Sequence, residues 1–185
     1  MLGADYKGVI VSDFYGGYNY HLAEHQRCWV HYLRDLEELK EKHPKDKNLL
    51  KWAGAVRALY DKAKKFQSEN RRTRVKARAR FQDCLVRLGE KYEKTDLPQR
   101  TLAQRCVKFA NEMFTFIEYP DIPSENNPAE RAIRPLVIAR KISGGTRSRQ
   151  GSNTRMALAS IFETWKLNSH DPLSMCNQLL ASSPQ

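Results

Sequence analysis

At 185 residues the chain is long enough for one ordinary domain with its own core, or a small domain carrying an insertion, which excludes a peptide hormone or a bare linker. Hydrophobic residues at 41% and charged residues at 29% exclude a disordered chain, and 32 Lys plus Arg against 21 Asp plus Glu, a formal charge of +11, favour polyanionic partners, nucleic acid first. The four widely separated cysteines exclude a disulfide framework; no apolar run approaches the roughly 20 residues a bilayer requires, and the N-terminus lacks a basic-then-apolar leader, so the reading is a cytoplasmic protein without a membrane partner.

In chain order, Val9-Ile10-Val11-Ser12-Asp13 is a β-branched run ending in a carboxylate, and Gly16-Gly17 breaks it. The pattern predicts a buried strand that delivers Asp13 at its end. A short helix is expected near residues 18–23 and a second strand over 26–30. From His31 the reading is helix, with Leu33, Leu36 and Leu39 at helical spacing and Pro44 as terminator. A helical block follows over about 48–119, broken near Asn70, at 95–98 and at Pro120. Asn127 can cap a further helix with Pro128 in its first turn, and Pro135 is expected to kink it. The stretch 143–151 is a Gly- and Arg-rich loop, Met156 to Trp165 belong to an amphipathic helix, and a last short helix follows Pro172.

This order predicts an α/β core over residues 1–45, a helical insertion over 46–119, and a core helix with C-terminal helices over 120–185. Two strands cannot cover their own sheet faces, so the core is expected to be incomplete at its N-terminus.

Two carboxylates stand out. Asp13 ends a predicted strand, where α/β sheets commonly place active-site groups, although capping the following turn explains an Asp there equally well. Glu130 lies three residues after Asn127, the spacing of a capping box, yet it shares a helical face with Asn126, Asn127, Arg134 and Lys141, a set suited to metal and phosphate. Phosphodiester cleavage needs charge neutralised on both attacking and leaving oxygens, which two divalent ions held by hard carboxylate oxygens supply. The insertion would let two such distant carboxylates converge.

Cys28 and His31 have the spacing of half a zinc site, but no second closely spaced pair follows, and a DNA contact or a structural role for His31 stays open. Residues 71–80 contain six basic side chains. On a helix Arg72, Lys76, Arg80 and Arg87 share one face, apart from the apolar Ala77, Phe81, Leu85 and Leu88. That face can meet a phosphate backbone, or it can be a solvated charge run. Arg147, Arg149 and Arg155 form a second basic patch.

The stretches GVIVSDFYGGYN, QRCWVHYLRDLEELKEKHP, ENNPAERAIRPLVIARK and ALASIFETWKLNSHDP resemble the insertion sequence 66 family of bacterial transposases. The resemblance implies a ribonuclease-H-like core with an Asp-Asp-Glu triad, two Mg2+ or Mn2+ ions, and transposon-end and target DNA as partners; a homo-oligomer is left open, since the sequence does not give the oligomeric state. Asp13 resembles the second Asp and Glu130 the Glu, both as metal ligands; Arg134 would stabilise phosphate, and His31 resembles the family's histidine near the active centre. Two departures are present: Glu125 replaces an Asp before the Asn pair, and the family's first catalytic Asp lies well upstream, whereas Asp5 is too close to Asp13 to occupy a separate core strand. The expectation is therefore a C-terminal part of a DDE-type transposase that does not cleave DNA by itself. The rivals are an inactive DNA-binding remnant and a basic helical module that meets acidic protein.

Overall fold

The computed structural model describes residues 6–182, and the chain divides into two compact units, residues 1–126 and 127–185. Asp5 lies outside the described residues. The first unit opens with strand β1 (Val9–Ser12), followed by a 3-10 turn (Gly16–Tyr18) and strand β2 (Glu24–Arg27). The two strands pair in parallel, with Val9 opposite Glu24 and Ser12 opposite Arg27. Parallel pairing forces residues 13–23 to carry the chain back along the sheet. The helix predicted near 18–23 is absent: the crossing holds only the 3-10 turn, because Gly16-Gly17 offers no helix propensity and the span is too short for a stable helix.

The second strand is also shifted from its expected place. It ends at Arg27, and Trp29 already belongs to helix α1 (Trp29–Lys42). The cause is tertiary. The Cys28 N–H donates to the Ser12 carbonyl at 2.8 Å and closes the ladder, while the Trp29 N–H, which a helix start leaves unsatisfied, donates to the distant Ser124 carbonyl at 3.0 Å. Bulky residues that read locally as strand are thereby turned into a helix N-terminus.

The predicted helical block resolves into α2 (Lys47–Lys65), α3 (Arg71–Glu90), α4 (Arg100–Lys108), α5 (Ala110–Met113) and α6 (Thr115–Glu118). Asp46 caps α2 through the amides of Asn48 and Leu49, and the Asn70 side chain accepts from the Thr73 amide to start α3. These helices and α1 enclose one core in which Trp29, Tyr32, Leu36, Leu49, Val56, Leu85, Met113 and Phe114 are buried. Trp29 stacks on Tyr60 with ring centroids 4.7 Å apart, and its indole N–H donates to the Met113 carbonyl. Burial of each such side chain contributes about 1.5–3 kcal/mol. Gly89 lets α3 and α4 approach closely: a Cβ there would sit 2.7 Å from the Ala103 carbonyl oxygen.

The second unit contains α7 (Asn127–Ser143), α8 (Arg149–Leu167) and α9 (Pro172–Ser182); α7 and α9 begin where the sequence predicts, whereas α8 takes in Arg149, Gln150 and Gly151, which the sequence assigns to the loop, because the Ser148 side chain caps it there. Helix α7 continues through Pro135. It ends before Gly144 and Gly145, both at positive φ, and the Ser148 hydroxyl accepts from the Gly151 amide to start α8. Among the described residues no helix is long and apolar enough to cross a membrane.

Candidate functional site

Asp13 follows the last residue of β1, and its neighbours on both sides are anchored. Ser12 is buried and its carbonyl accepts the Cys28 N–H. Phe14 packs on Phe109 and Tyr32, with centroids 5.5 and 6.0 Å away, and carries the Arg105 guanidinium at 5.2 Å from its ring centre. Between these anchors the half-buried Asp13 carboxylate accepts the Tyr15 N–H through Oδ1 at 3.0 Å. That bond is the turn-capping role foreseen for Asp13, and it occupies only one of about four acceptor positions on the carboxylate.

The charges near Asp13 are distributed unevenly. Glu112 meets Arg27, Glu118 meets Arg71 and Arg78, Glu24 meets Arg78, and Asp35 meets Arg105. The Asp13 carboxylate meets no cationic side chain among the described residues. Its donor chemistry therefore fits a hard divalent cation: an oxygen ligand, fixed at the backbone and not neutralised by an arginine. Among the described residues there is no group of three His, Cys, Asp or Glu side chains placed to hold a metal ion, so a complete ligand cage is not present there.

Glu130 is half-buried on the first turns of α7 and lines a groove of about 470 Å³ with Asn127, Arg131, Ile133, Arg134 and Val137. A carboxylate and two guanidinium groups thus share one helix face, as the helical wheel predicted for Glu130 and Arg134. Lys141 is exposed in the last turn of the same helix. Asp13 and Glu130 belong to different compact units.

His31 is half-buried in the first turn of α1. Cys28 is fully buried and its Sγ accepts the Asn126 N–H at 3.2 Å. Together with the Trp29–Ser124 bond and a 3.0 Å hydrogen bond between the Tyr60 and Ser124 hydroxyls, this holds the segment immediately before α7. Cys28 serves the fold here.

The basic run of α3 separates into two sets. Arg74 donates to the carbonyls of Ser68, Glu69 and Glu118. Arg78, 14% exposed, joins Glu24, Glu118, the Asn111 carbonyl and the Thr115 hydroxyl. Arg72, Lys76 and Arg80, one turn apart on the other side, are solvent-facing and without ion-pair partners among the described residues. One face of the helix thus ties helices together while the other keeps its charge, an arrangement open both to a phosphate backbone and to plain solvation. Arg147 and Arg149 are exposed beside the glycine loop, whereas Arg155 turns inward to the Ser143 hydroxyl at 3.2 Å.

The residue that sequence reading missed is Arg27. Its side chain is 1% exposed, yet it reaches Glu112, Ser12, the Asp13 carbonyl and Asn19. No periodicity marks it, and within the stretch QRCWVHYLRDLEELKEKHP nothing sets it apart from its neighbours. Its principal counter-charge is 85 positions away, so only the folded chain shows the connection.

The sequence profile described as Transposase IS66 family matches residues 1–154, a span that contains both Asp13 and Glu130. A relative in Sinorhizobium fredii (strain NBRC 101917 / NGR234), named "Uncharacterized protein y4jO", is 32% identical over 162 residues, covering 85% of this chain and 48% of that protein. The chain thus spans about half the length of the curated relative it matches. No solved structure matches.

Proposed function

The chain belongs to the Transposase IS66 family, and from that premise we propose that it forms part of a DDE-type DNA transposase and supplies two of the three catalytic carboxylates, Asp13 and Glu130. In this reading residues 1–45 and 120–185 contribute to a ribonuclease-H-like core, and residues 46–119 are a helical insertion. The observation that carries the proposal is the Asp13 carboxylate: it stands at the end of a half-buried parallel strand, its flanking residues anchored and the carboxylate itself meeting no arginine among the described residues, within the span matched by the family.

Mg2+ or Mn2+ ions, two in the intact enzyme, supply charge neutralisation at the attacking and leaving oxygens of the phosphodiester. Asp13 presents carboxylate oxygen from the residue that follows β1, with its backbone carbonyl held by Arg27. Glu130 presents a second carboxylate from α7, with the Arg134 guanidinium one turn along the helix to bind a phosphate oxygen. Arg72, Lys76 and Arg80 track a DNA backbone, His31 lies near the reacting strand, and Lys141, Arg147 and Arg149 extend DNA binding along the second unit. A DNA substrate sets this work in the cytoplasm.

A second reading, DNA binding without cleavage, draws on the basic charge of the chain and the exposed Arg72, Lys76 and Arg80. The deciding assay is Mg2+- or Mn2+-dependent nicking of transposon-end DNA. The 185-residue chain is expected to bind but not to nick, while a polypeptide of the relative's full length nicks and loses activity in Asp13→Ala and in Glu130→Ala. Nicking by the shorter chain, abolished by either substitution, would locate the third ligand within these residues. Nicking by the longer polypeptide that survives both substitutions would overturn the assignment.

A further inference from the structure

We propose that Arg27 is the positioning residue of the Asp13 site: it fixes the loop that carries the carboxylate while leaving the carboxylate's own charge uncompensated. The proposal rests on the metal-site reading of Asp13 given above.

The division of the Arg27 donors carries the argument. If the side chain served only to join β2 to α5, its planar fork would meet Glu112 with two parallel bonds, the strongest arrangement for an arginine and a carboxylate. Instead only Nε donates to Glu112, at 2.5 Å. The end of the fork is turned toward the other partner: Nη1 donates to the Asp13 carbonyl at 2.9 Å and to the Ser12 hydroxyl at 3.3 Å, and Nη2 donates to the Asn19 side-chain oxygen at 2.6 Å. The loop from Asp13 to Asn19 is therefore gripped at its first and last residues by one buried group.

Such a grip is costly to build, because desolvating a guanidinium often exceeds the Coulombic return from its partner. Stability alone would be served as well by apolar residues of the same volume. The Phe109 ring under the guanidinium, 4.9 Å from its centre, and the Glu112 carboxylate compensate part of that cost and neutralise the cation locally. The neutralisation matters for the site, since Arg27 touches the main-chain carbonyl of Asp13 and not its carboxylate. A loop containing Gly16 and Gly17 has much conformational freedom to lose, and the fork removes it without consuming a ligand oxygen. Lysine could not do this, having one point charge in place of a fork with separated donors.

The test uses the whole chain, with Mn2+ alone as the probe, and two independent measurements. One is the amide exchange rate of Tyr15, whose N–H is held by Asp13 Oδ1. The other is Mn2+ affinity, followed by the paramagnetic resonance of the free ion. Arg27→Lys keeps a cation for Glu112 but loses the fork. It is expected to speed Tyr15 exchange about tenfold or more and to weaken Mn2+ binding by about 10- to 100-fold, the usual range for groups that orient a metal ligand. Asn19→Ala, at an exposed position, is expected to change both in the same direction by a smaller factor, and it alone decides if Arg27→Lys fails to fold. Unchanged Tyr15 exchange in a folded Arg27→Lys chain and in Asn19→Ala would reduce Arg27 to a core ion pair and overturn the proposal. Asp13→Asn separates the two readings: if it leaves Mn2+ affinity intact, the metal assignment of Asp13 fails, and Tyr15 exchange in the Arg27→Lys chain still decides whether Arg27 holds the loop.

Discussion

The two compact units bury their apolar residues to different extents. In residues 1–126 a fully buried tryptophan, several aromatic rings and two buried or nearly buried arginines lock helices α1–α6 and both strands around one core. In residues 127–185, α7 and α8 bury no residue, and Ile142, Leu167 and Leu180 are 83%, 85% and 76% exposed. The segment carrying Asp13 is therefore held by long-range contacts, whereas Glu130 stands on a helix that buries no residue. The contrast teaches that the backbone placement of Asp13 depends on tertiary packing while the start of α7 follows the local pair Asn127-Pro128, so core substitutions in the first unit should cost more than exposed ones in the second.

The largest difference is expected in the core. Trp29→Ala removes a side chain that stacks on Tyr60 and donates to Met113, and should destabilise the chain by about 3–5 kcal/mol in denaturant unfolding. Ile142→Ala, at an exposed position, should stay within about 0.5 kcal/mol. Equal effects would erase the distinction between the units.

A smaller contrast lies within α3. Arg78→Ala removes the counter-charge of Glu24, leaves Glu118 only the exposed Arg71 and the Asn111 carbonyl only Gln82, and takes the donor from the Thr115 hydroxyl, at a cost of about 2–4 kcal/mol, since removal of one member of a shielded ion network leaves its partners undercompensated. Arg72→Ala, earlier on the same helix and exposed, should leave stability unchanged within about 0.5 kcal/mol. Thermal unfolding of the two variants side by side measures the split between structural and free arginines.

The free face is expected to appear in DNA binding instead. Replacing Arg72, Lys76 and Arg80 together with Ala should flatten the salt dependence of duplex affinity by about 0.9 in log–log slope for each phosphate no longer neutralised, without lowering stability. An unchanged slope, read by fluorescence anisotropy across salt concentrations, would return this face to plain solvation.

The smallest effect concerns alkaline stability of the first unit. Burial raises the Cys106 thiol from 9.0 to about 12, and burial also raises the Tyr32 phenol that touches it at 2.8 Å. The unfolded chain releases these protons before the folded chain does, so stability is full below about pH 9 and falls as pH rises toward 12. Cys106→Ala should make that decline shallower in unfolding measured from about pH 8 to 11, while Cys176→Ala in the second unit should not alter it.

Much of this was readable along the chain. The β-branched run placed Asp13 at a strand end, Pro44, Asn70 and Pro120 marked helix boundaries, and the pair Asn127-Pro128 marked the start of α7. Four-residue spacing separated Arg72, Lys76 and Arg80 from the apolar face of α3. These signals are local, and local propensity carries them. What the sequence could not reveal is how distant groups satisfy one another. Trp29 begins a helix because Ser124 receives its N–H, Arg78 is structural because Glu24 and Glu118 converge on it, and Arg27 is buried at the base of the Asp13 loop because Glu112 folds beside it. Periodicity reports which face of an element is apolar; which buried charge meets which partner is decided only when the chain closes, because the cost of desolvating a charge is offset by interactions that do not exist until then.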